Sequence, residues 1–277
     1  MRLGGPIFRP YADAQEWIDL VKAAGYRAAY CPVNGDAGED VVKAFAAAAE
    51  KADIVIAEVG TWSNPLSPNE AERLEALEKC KKGLDLADRI GANCCVNIAG
   101  SRGDKWDGPC PSDLTAETFD RIVETVRDIL DSVQPKRSFY TLETMPWMFP
   151  DSADSYLELI RAIDRRSFAV HFDPVNLVCS PQRYFANRAL IRDFVDKLGA
   201  KIKSVHAKDI ILRDRLTVHL DEVLPGTGGL DYRTLLQCLN SLPQDVPVLL
   251  EHLPGEAEYI QAANYIRSTA GEIGIPL

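Results

Sequence analysis

Four short runs decide the fold: SFYTLETM (138–145), FAVHFDPV (168–175), IKSVHAKDI (202–210) and VPVLLEHL (246–253). Each is apolar and rich in Val, Ile, Leu or Phe, as in strands buried on both faces. Each also carries, near its C-terminal end, a residue of a type that usually avoids the interior: Glu143, Asp173, His206 or Glu251. A carboxylate in an apolar run is costly unless it is paired or bound to a cation. One such residue is an accident of a core. Four, in successive runs, read as one convergent site.

The alternation extends upstream. Strand-like runs at 3–8, 26–33, 53–60 and 93–100 are separated by amphipathic segments at 13–25, 39–52 and about 67–90. Ser67-Pro68-Asn69-Glu70 predicts a helix start, with Ser67 as cap and Pro68 at the first helical position. Thr115 caps a further helix over 116–133, and Ser152 one near 152–164. The remaining helices are expected near 188–198, 231–242 and 255–273. Eight strand–helix units in one composition regime predict a parallel sheet. At this length they predict a (β/α)8 TIM barrel, one domain over 1–277, rather than an open doubly wound sheet. No G-x-G-x-x-G follows the first strand, against a dinucleotide fold. The longer loops follow the fourth, sixth and seventh runs, on the face where such barrels keep their sites.

Bulk properties narrow the function. An apolar fraction of 46% is enough for a large core and excludes a mostly disordered chain. The net charge of -10, with no basic run, argues against nucleic acid and anionic membranes as partners. There is no signal-peptide pattern and no apolar window long enough to span a bilayer. Seven cysteines, an odd number without a C-x-x-C pair, give neither a disulfide framework nor a zinc ribbon. A reducing cytoplasm is the expected location.

Glu143, Asp173, His206 and Glu251 fall at comparable depth on the fifth to eighth predicted strands, so barrel closure brings them together. Three carboxylates and one imidazole suit one hard or borderline divalent ion: Mn2+ first, with Mg2+, Co2+ and Zn2+ as alternatives. The competing reading is four unrelated polar core residues.

The motifs LETM (142–145), HFDPVN (171–176), VHAKD (205–209), LPGTGGLDY (224–232) and LLEHL (249–253) resemble the xylose-isomerase-like barrels, the sugar phosphate isomerase/epimerase group. The resemblance spans the chain and is densest after residue 138. It implies that Glu143, Asp173, His206 and Glu251 bind one metal ion. It also implies that Glu143 and Glu251 exchange protons with a sugar or keto-sugar substrate. A cation chelated by a carbonyl and its neighbouring hydroxyl acidifies the adjacent C–H. One glutamate removes that proton to give a metal-bound enediolate and the other returns one. Relatives often carry His where this chain has Asn176, a departure that weakens transfer of ketose-epimerase substrate roles.

Other residues are expected around this centre. Lys208 shares a strand face with His206 and can hold a substrate oxygen or pair with a mouth acid such as Asp209. Asn176 can hydrogen-bond a hydroxyl. Glu58, at the end of the third run, reads as a substrate contact, with Trp62 stacking on a sugar face. The alternative is that Glu58 is ion-paired and Trp62 is loop packing. Asn97, Trp106 and Trp147 are weaker pocket residues, and Arg102 and Arg183 lie in mouth loops. His171, two residues before Asp173, is expected to be buried and to support the site. His252 has the opposite parity to Glu251 and is expected to face the helices. Gly226, Gly228 and Gly229 fit either a phosphate cradle or a tight turn.

Isomerisation or epimerisation leads this reading. A lyase or dehydratase acting on keto-sugars, keto-inositols or oxidised glycosides shares the first proton abstraction. A DNA-repair endonuclease on the same scaffold needs more histidines and a more basic surface. A non-catalytic binding module would have no need of two well-placed glutamates. Homo-oligomerisation is left open.

Overall fold

The structure is a computed structural model describing residues 1–277. Strands β1 (Arg2–Gly5), β2 (Ala28–Tyr30), β3 (Val55–Gly60), β4 (Cys94–Asn97), β5 (Phe139–Glu143), β6 (Phe168–Phe172) and β7 (Ile202–Ala207) come in turn. A two-stranded hairpin, β8 (Asp209–Arg213) and β9 (His219–Val223), precedes the last barrel strand, β10 (Pro247–Leu250). The barrel is closed in the order β1-β10-β7-β6-β5-β4-β3-β2, and every neighbouring pair in it is parallel. This is the expected single (β/α)8 barrel.

The helices are α1 (Ala14–Ala23), α2 (Glu39–Ala52), α3 (Glu70–Ile90), α4 (Ala116–Val133), α5 (Ala153–Ile163), α6 (Pro181–Phe185), α7 (Asn187–Leu198), α8 (Tyr232–Asn240) and α9 (Glu256–Glu272). One continuous apolar cluster joins the barrel to them, with Trp17, Leu84, Ile129, Phe168, Phe194 and Ile266 among its buried members. Thr115 and Ser152 cap α4 and α5 as expected. The start of α3 differs. Asn69, extended at φ -78 and ψ 117, caps it by accepting from Ala71 N and Glu72 N. Ser67 lies upstream, donating to the Glu72 carboxylate and accepting from Asn69 N. The proline therefore precedes the helix instead of opening it.

Two register shifts shape the barrel interior. Between β2 and β3, Ala29 faces Ile56 but Tyr30 faces Glu58, leaving Ala57 without a partner. Between β6 and β7, Val170 faces Ile202 but His171 faces Ser204. Such bulges re-aim side chains. Here they set Glu58, His171 and Ser204 against one another in the barrel interior.

The hairpin replaces the loop expected after the seventh barrel strand. The run IKSVHAKDI divides at Lys208, and the chain leaves the barrel to pair Asp209 with Val223 and Arg213 with His219. Its base is pinned by Asp209, whose carboxylate accepts the backbone N–H groups of Ile210, Gly226, Gly228 and Leu230 at 2.8–3.0 Å. A Cβ on Gly228 would lie 2.4 Å from Asp209 Oδ1, so that glycine serves this close approach. The glycine cluster is a wrapped carboxylate, not a phosphate cradle.

A candidate metal centre and its support

Asp173 follows β6 in a turn that its own side chain builds. Oδ1 accepts from Val175 N and Asn176 N at 2.9 and 3.2 Å. Its backbone is clamped by Thr144, whose hydroxyl donates to Asp173 O and accepts from Asp173 N. Oδ2 takes no part in that turn and meets the Lys208 ammonium at 2.6 Å. Glu143 ends β5, His206 lies near the end of β7, and Glu251 follows β10. One ligand-type atom from each of these four residues falls within 4.8 Å of all the others. The four expected ligands therefore do converge.

The chemistry of the cluster fits a cation. His206 Nδ1 lies 3.1 Å from Glu143 Oε1 and 3.0 Å from Glu251 Oε1. Asp173 Oδ2 and Glu251 Oε1 are buried and are met only by cationic groups, the Lys208 ammonium and, for Glu251, His206. Buried carboxylates crowded together are expensive without a cation, and oxygens with one imidazole form a hard-to-borderline donor set.

Beside these four residues lies a second buried layer. His206 Nε2 meets Glu58 Oε1 at 2.9 Å, while His171 Nε2 and Ser204 Oγ meet Glu58 Oε2 at 3.0 and 2.6 Å. Glu58 is 1% exposed, so it is no substrate contact at the mouth, contrary to the sequence expectation. The bulge at Ala57 turns it inward to orient the imidazoles. His171 is the buried supporting histidine expected. Tyr156 steadies the strands beneath, its hydroxyl lying against Leu142 O, Ala169 O and the N–H groups of Leu142 and His171.

Electrostatics follow from this packing. Burial disfavours charge on Glu58, but His206 and His171 outweigh it and hold the carboxyl well below its usual range. Burial would likewise lower His206, yet Glu251, Glu58 and Glu143 hold it well above the ordinary imidazole value. Burial, reinforced by Glu143 and Glu251, pushes the Asp173 carboxyl up to about 8 against the pull of Lys208.

Lys208 is 2% exposed, and its ammonium lies 2.6 Å from Asp173 Oδ2 and 2.7 Å from Glu251 Oε1. It does not pair with Asp209, whose oxygens are taken by the backbone. Asn176 joins the cluster through Glu143 Oε1 at 3.3 Å and Lys208 Nζ at 3.4 Å. Trp62 is 36% exposed, with its ring centroid 6.2 Å from that of His206. Beside it a cleft of about 630 Å³ opens between the 31–36 segment and α3.

Other expectations are corrected. Asn97 is fully buried. Its carbonyl accepts from Ser63 N and Ile98 N, and its amide contacts Cys80 of α3. It packs the barrel against that helix and offers nothing to a substrate. Trp147 donates to Asp107 O in a loop. Arg102 pairs with Glu117, and Arg183 donates to the Leu177 carbonyl. His252 does not face the helices. The strand ends at Leu250, so strand parity no longer applies, and at φ 57 the residue turns to the mouth, where Nδ1 meets Glu222 at 3.2 Å.

Two residues near the centre went unread in the sequence. Tyr30, which donates to Leu250 O, has its ring 6.5 Å from that of His206. Glu222 is carried to within 3.8 Å of Lys208 by the hairpin. A tyrosine closing a strand gave Tyr30 a faint signal, whereas Glu222 had none without the hairpin.

The fold and this cluster define a (β/α)8 barrel with a carboxylate–histidine centre at its C-terminal mouth. The family model described as Xylose isomerase-like TIM barrel matches residues 18–269, and the chain belongs to that family. Among solved structures, the probable 3-DHS dehydratase AsbF from Bacillus anthracis superposes with a TM-score of 0.70 at 17% identity, over 96% of this chain and 98% of that one. D-Psicose 3-epimerase with D-tagatose from Clostridium cellulolyticum H10 gives 0.68 at 15% identity, over 97% and 99%. A xylose isomerase-like TIM barrel protein from Mycobacterium smegmatis in complex with magnesium gives 0.68 at 15%, over 98% and 97%. No curated protein sequence matches the chain. No helix is long and apolar enough to cross a membrane.

Proposed function

We propose that this protein is a divalent-metal-dependent carbohydrate epimerase or isomerase. The observation that carries the reading is the convergence of Glu143, Asp173, His206 and Glu251, whose donor atoms all lie within 4.8 Å of one another. These four residues would hold the ion, with Mn2+ the first choice for their donor set and Mg2+, Co2+ or Zn2+ as alternatives. Such an ion polarises a carbonyl and acidifies the C–H beside it.

Glu143 and Glu251 then act as the proton-transfer pair. They come from strands separated by β6 and β7, so they approach a substrate from different sides. One takes the proton next to the carbonyl, and the other returns a proton to the opposite face or the neighbouring carbon. Glu58 holds His206 in the tautomer that keeps Nδ1 on the ligand side. Lys208 and Asn176 bind substrate oxygens, and Trp62 offers its ring to a sugar face. The substrate is a small sugar or keto-sugar, in keeping with a D-psicose 3-epimerase among the structural relatives. Four acids at the mouth, Glu143, Asp173, Glu222 and Glu251, disfavour a nucleic-acid backbone. Seven cysteines without a disulfide fit a reducing cytoplasm.

A second reading is β-elimination. The Lys208 ammonium, 2.7 Å from Glu251, is a proton donor beside the base and can protonate a departing hydroxyl. The likeness to a probable dehydratase is as close as that to the epimerase. One experiment separates them: incubation of the Mn2+-loaded protein with a keto-sugar panel in D2O. Sugar that gains deuterium and is otherwise unchanged in mass supports the epimerase or isomerase. Release of water or a second product supports the lyase. Absence of solvent exchange with every sugar and metal overturns both.

A further inference from the structure

We infer that Lys208 is an internal cation that holds the ligand carboxylates together in the metal-free protein and is displaced when metal binds. The inference rests on the metal site proposed above and concerns a residue outside its ligand set.

Three buried carboxylates converge at the mouth, and their mutual repulsion in a water-poor site has to be offset. The Lys208 ammonium is almost fully buried and lies 2.6 Å from Asp173 Oδ2 and 2.7 Å from Glu251 Oε1. They belong to two of the four residues whose donor atoms converge. The ammonium bridges the two oxygens, neither of which has a partner of good hydrogen-bond geometry. A contact of that kind yields readily to a divalent ion, which draws on the same lone pairs with twice the charge. Glu143 behaves differently. Its Oε1 is 3.9 Å from Lys208 and is met instead by Asn176 and His206.

The displaced ammonium has a place to go. Asn176 Oδ1 lies 3.4 Å away and Glu222 Oε2 3.8 Å away, toward the hairpin. Lysine suits the exchange: its ammonium is a compact point charge on a flexible stem. Metal loading therefore moves Lys208 from holding the ligands to facing the substrate space, so that one event completes the site and supplies its oxygen-binding cation.

The test compares wild type with Lys208→Met by calorimetric Mn2+ titration and by melting of the metal-free proteins. The variant should bind Mn2+ at least about tenfold tighter, since both a competitor and a like charge are gone, and should melt lower without metal. Equal or weaker Mn2+ binding by the folded variant overturns the inference. A second measurement uses only wild type: exchange of the Lys208 ammonium protons with water, by lysine-selective nitrogen NMR, with and without diamagnetic Mg2+. Exchange should accelerate about tenfold or more once the contacts to Asp173 and Glu251 break. Unchanged protection at saturating Mg2+ overturns displacement, even if Lys208→Met binds tighter. Failure of wild type and variant alike to bind any divalent ion overturns the metal site itself.

Discussion

Nε2 of His206 donates to Oε1 of Glu58 at 2.9 Å, and this bond turns the other ring nitrogen, Nδ1, toward Glu143 and Glu251. An ionised carboxylate only accepts, so the proton stays on Nε2, and Nδ1 is the nitrogen that gives up its proton when a cation binds. Glu58→Gln removes that discrimination, because an amide also donates. Mn2+ affinity, measured by calorimetry, is expected to fall about 10–100-fold while all four ligands remain. Unchanged affinity would show that the orientation of His206 is set elsewhere.

Glu251→Gln separates binding from chemistry. The amide oxygen can still approach a metal, but the residue can no longer take a proton. Partial Mn2+ occupancy with no solvent-deuterium uptake into substrate is the expected result, followed by metal analysis and mass spectrometry. Persistent deuterium uptake would mean that Glu251 is not an essential base.

Asp209 is the anchor of the hairpin. Removing its carboxylate leaves four backbone donors without their acceptor. Each lost buried bond costs about 1 kcal/mol or more. Asp209→Ala is expected to lower unfolding free energy by about 2–4 kcal/mol in urea titrations. The loss should be accompanied by faster amide exchange over 209–230. A change below about 0.5 kcal/mol, the usual range for neutral surface substitutions, would mean that the hairpin base does not depend on this residue.

What the sequence made legible follows from the physics of a parallel barrel. Strands buried on both faces read as continuous apolar runs, so a charged residue such as Asp173 stands out and its depth can be counted. The register shift that turns Glu58 inward leaves no such trace, because it depends on the offset between β2 and β3 rather than on either strand alone. The hairpin escaped because its tip, Asp214-Arg215-Leu216-Thr217-Val218, contains none of the Gly or Asn pairs that mark tight β-turns. Asn97 misled for the opposite reason: a polar residue at a strand's C-terminal end belongs to the mouth only if it faces the axis, and this one faces α3. His252 misled because the alternation was carried two residues past the end of the strand.

Protons and the proposed metal would compete for the centre, and the direction of the pH dependence follows from Asp173 and His206. Both are raised, Asp173 to about 8, so the metal-free fold holds protons that the unfolded chain releases at lower pH. The stabilisation from Asp173 is complete below its ordinary value of 3.8 and is lost as pH climbs through about 8. His206 acts in the same sense from its own ordinary value of 6.5 upward. Melting of the metal-free protein should therefore occur at progressively lower temperature from pH 6 to pH 9. A bound ion needs Asp173 ionised and Nδ1 of His206 free, so Mn2+ affinity should rise over the same interval. Titrations in buffers of different ionisation enthalpy should register release of about one proton or more per ion near pH 7. If affinity stays flat from pH 6 to pH 9, neither Asp173 nor His206 gives up a proton on binding, and at least one of them does not ligate the metal.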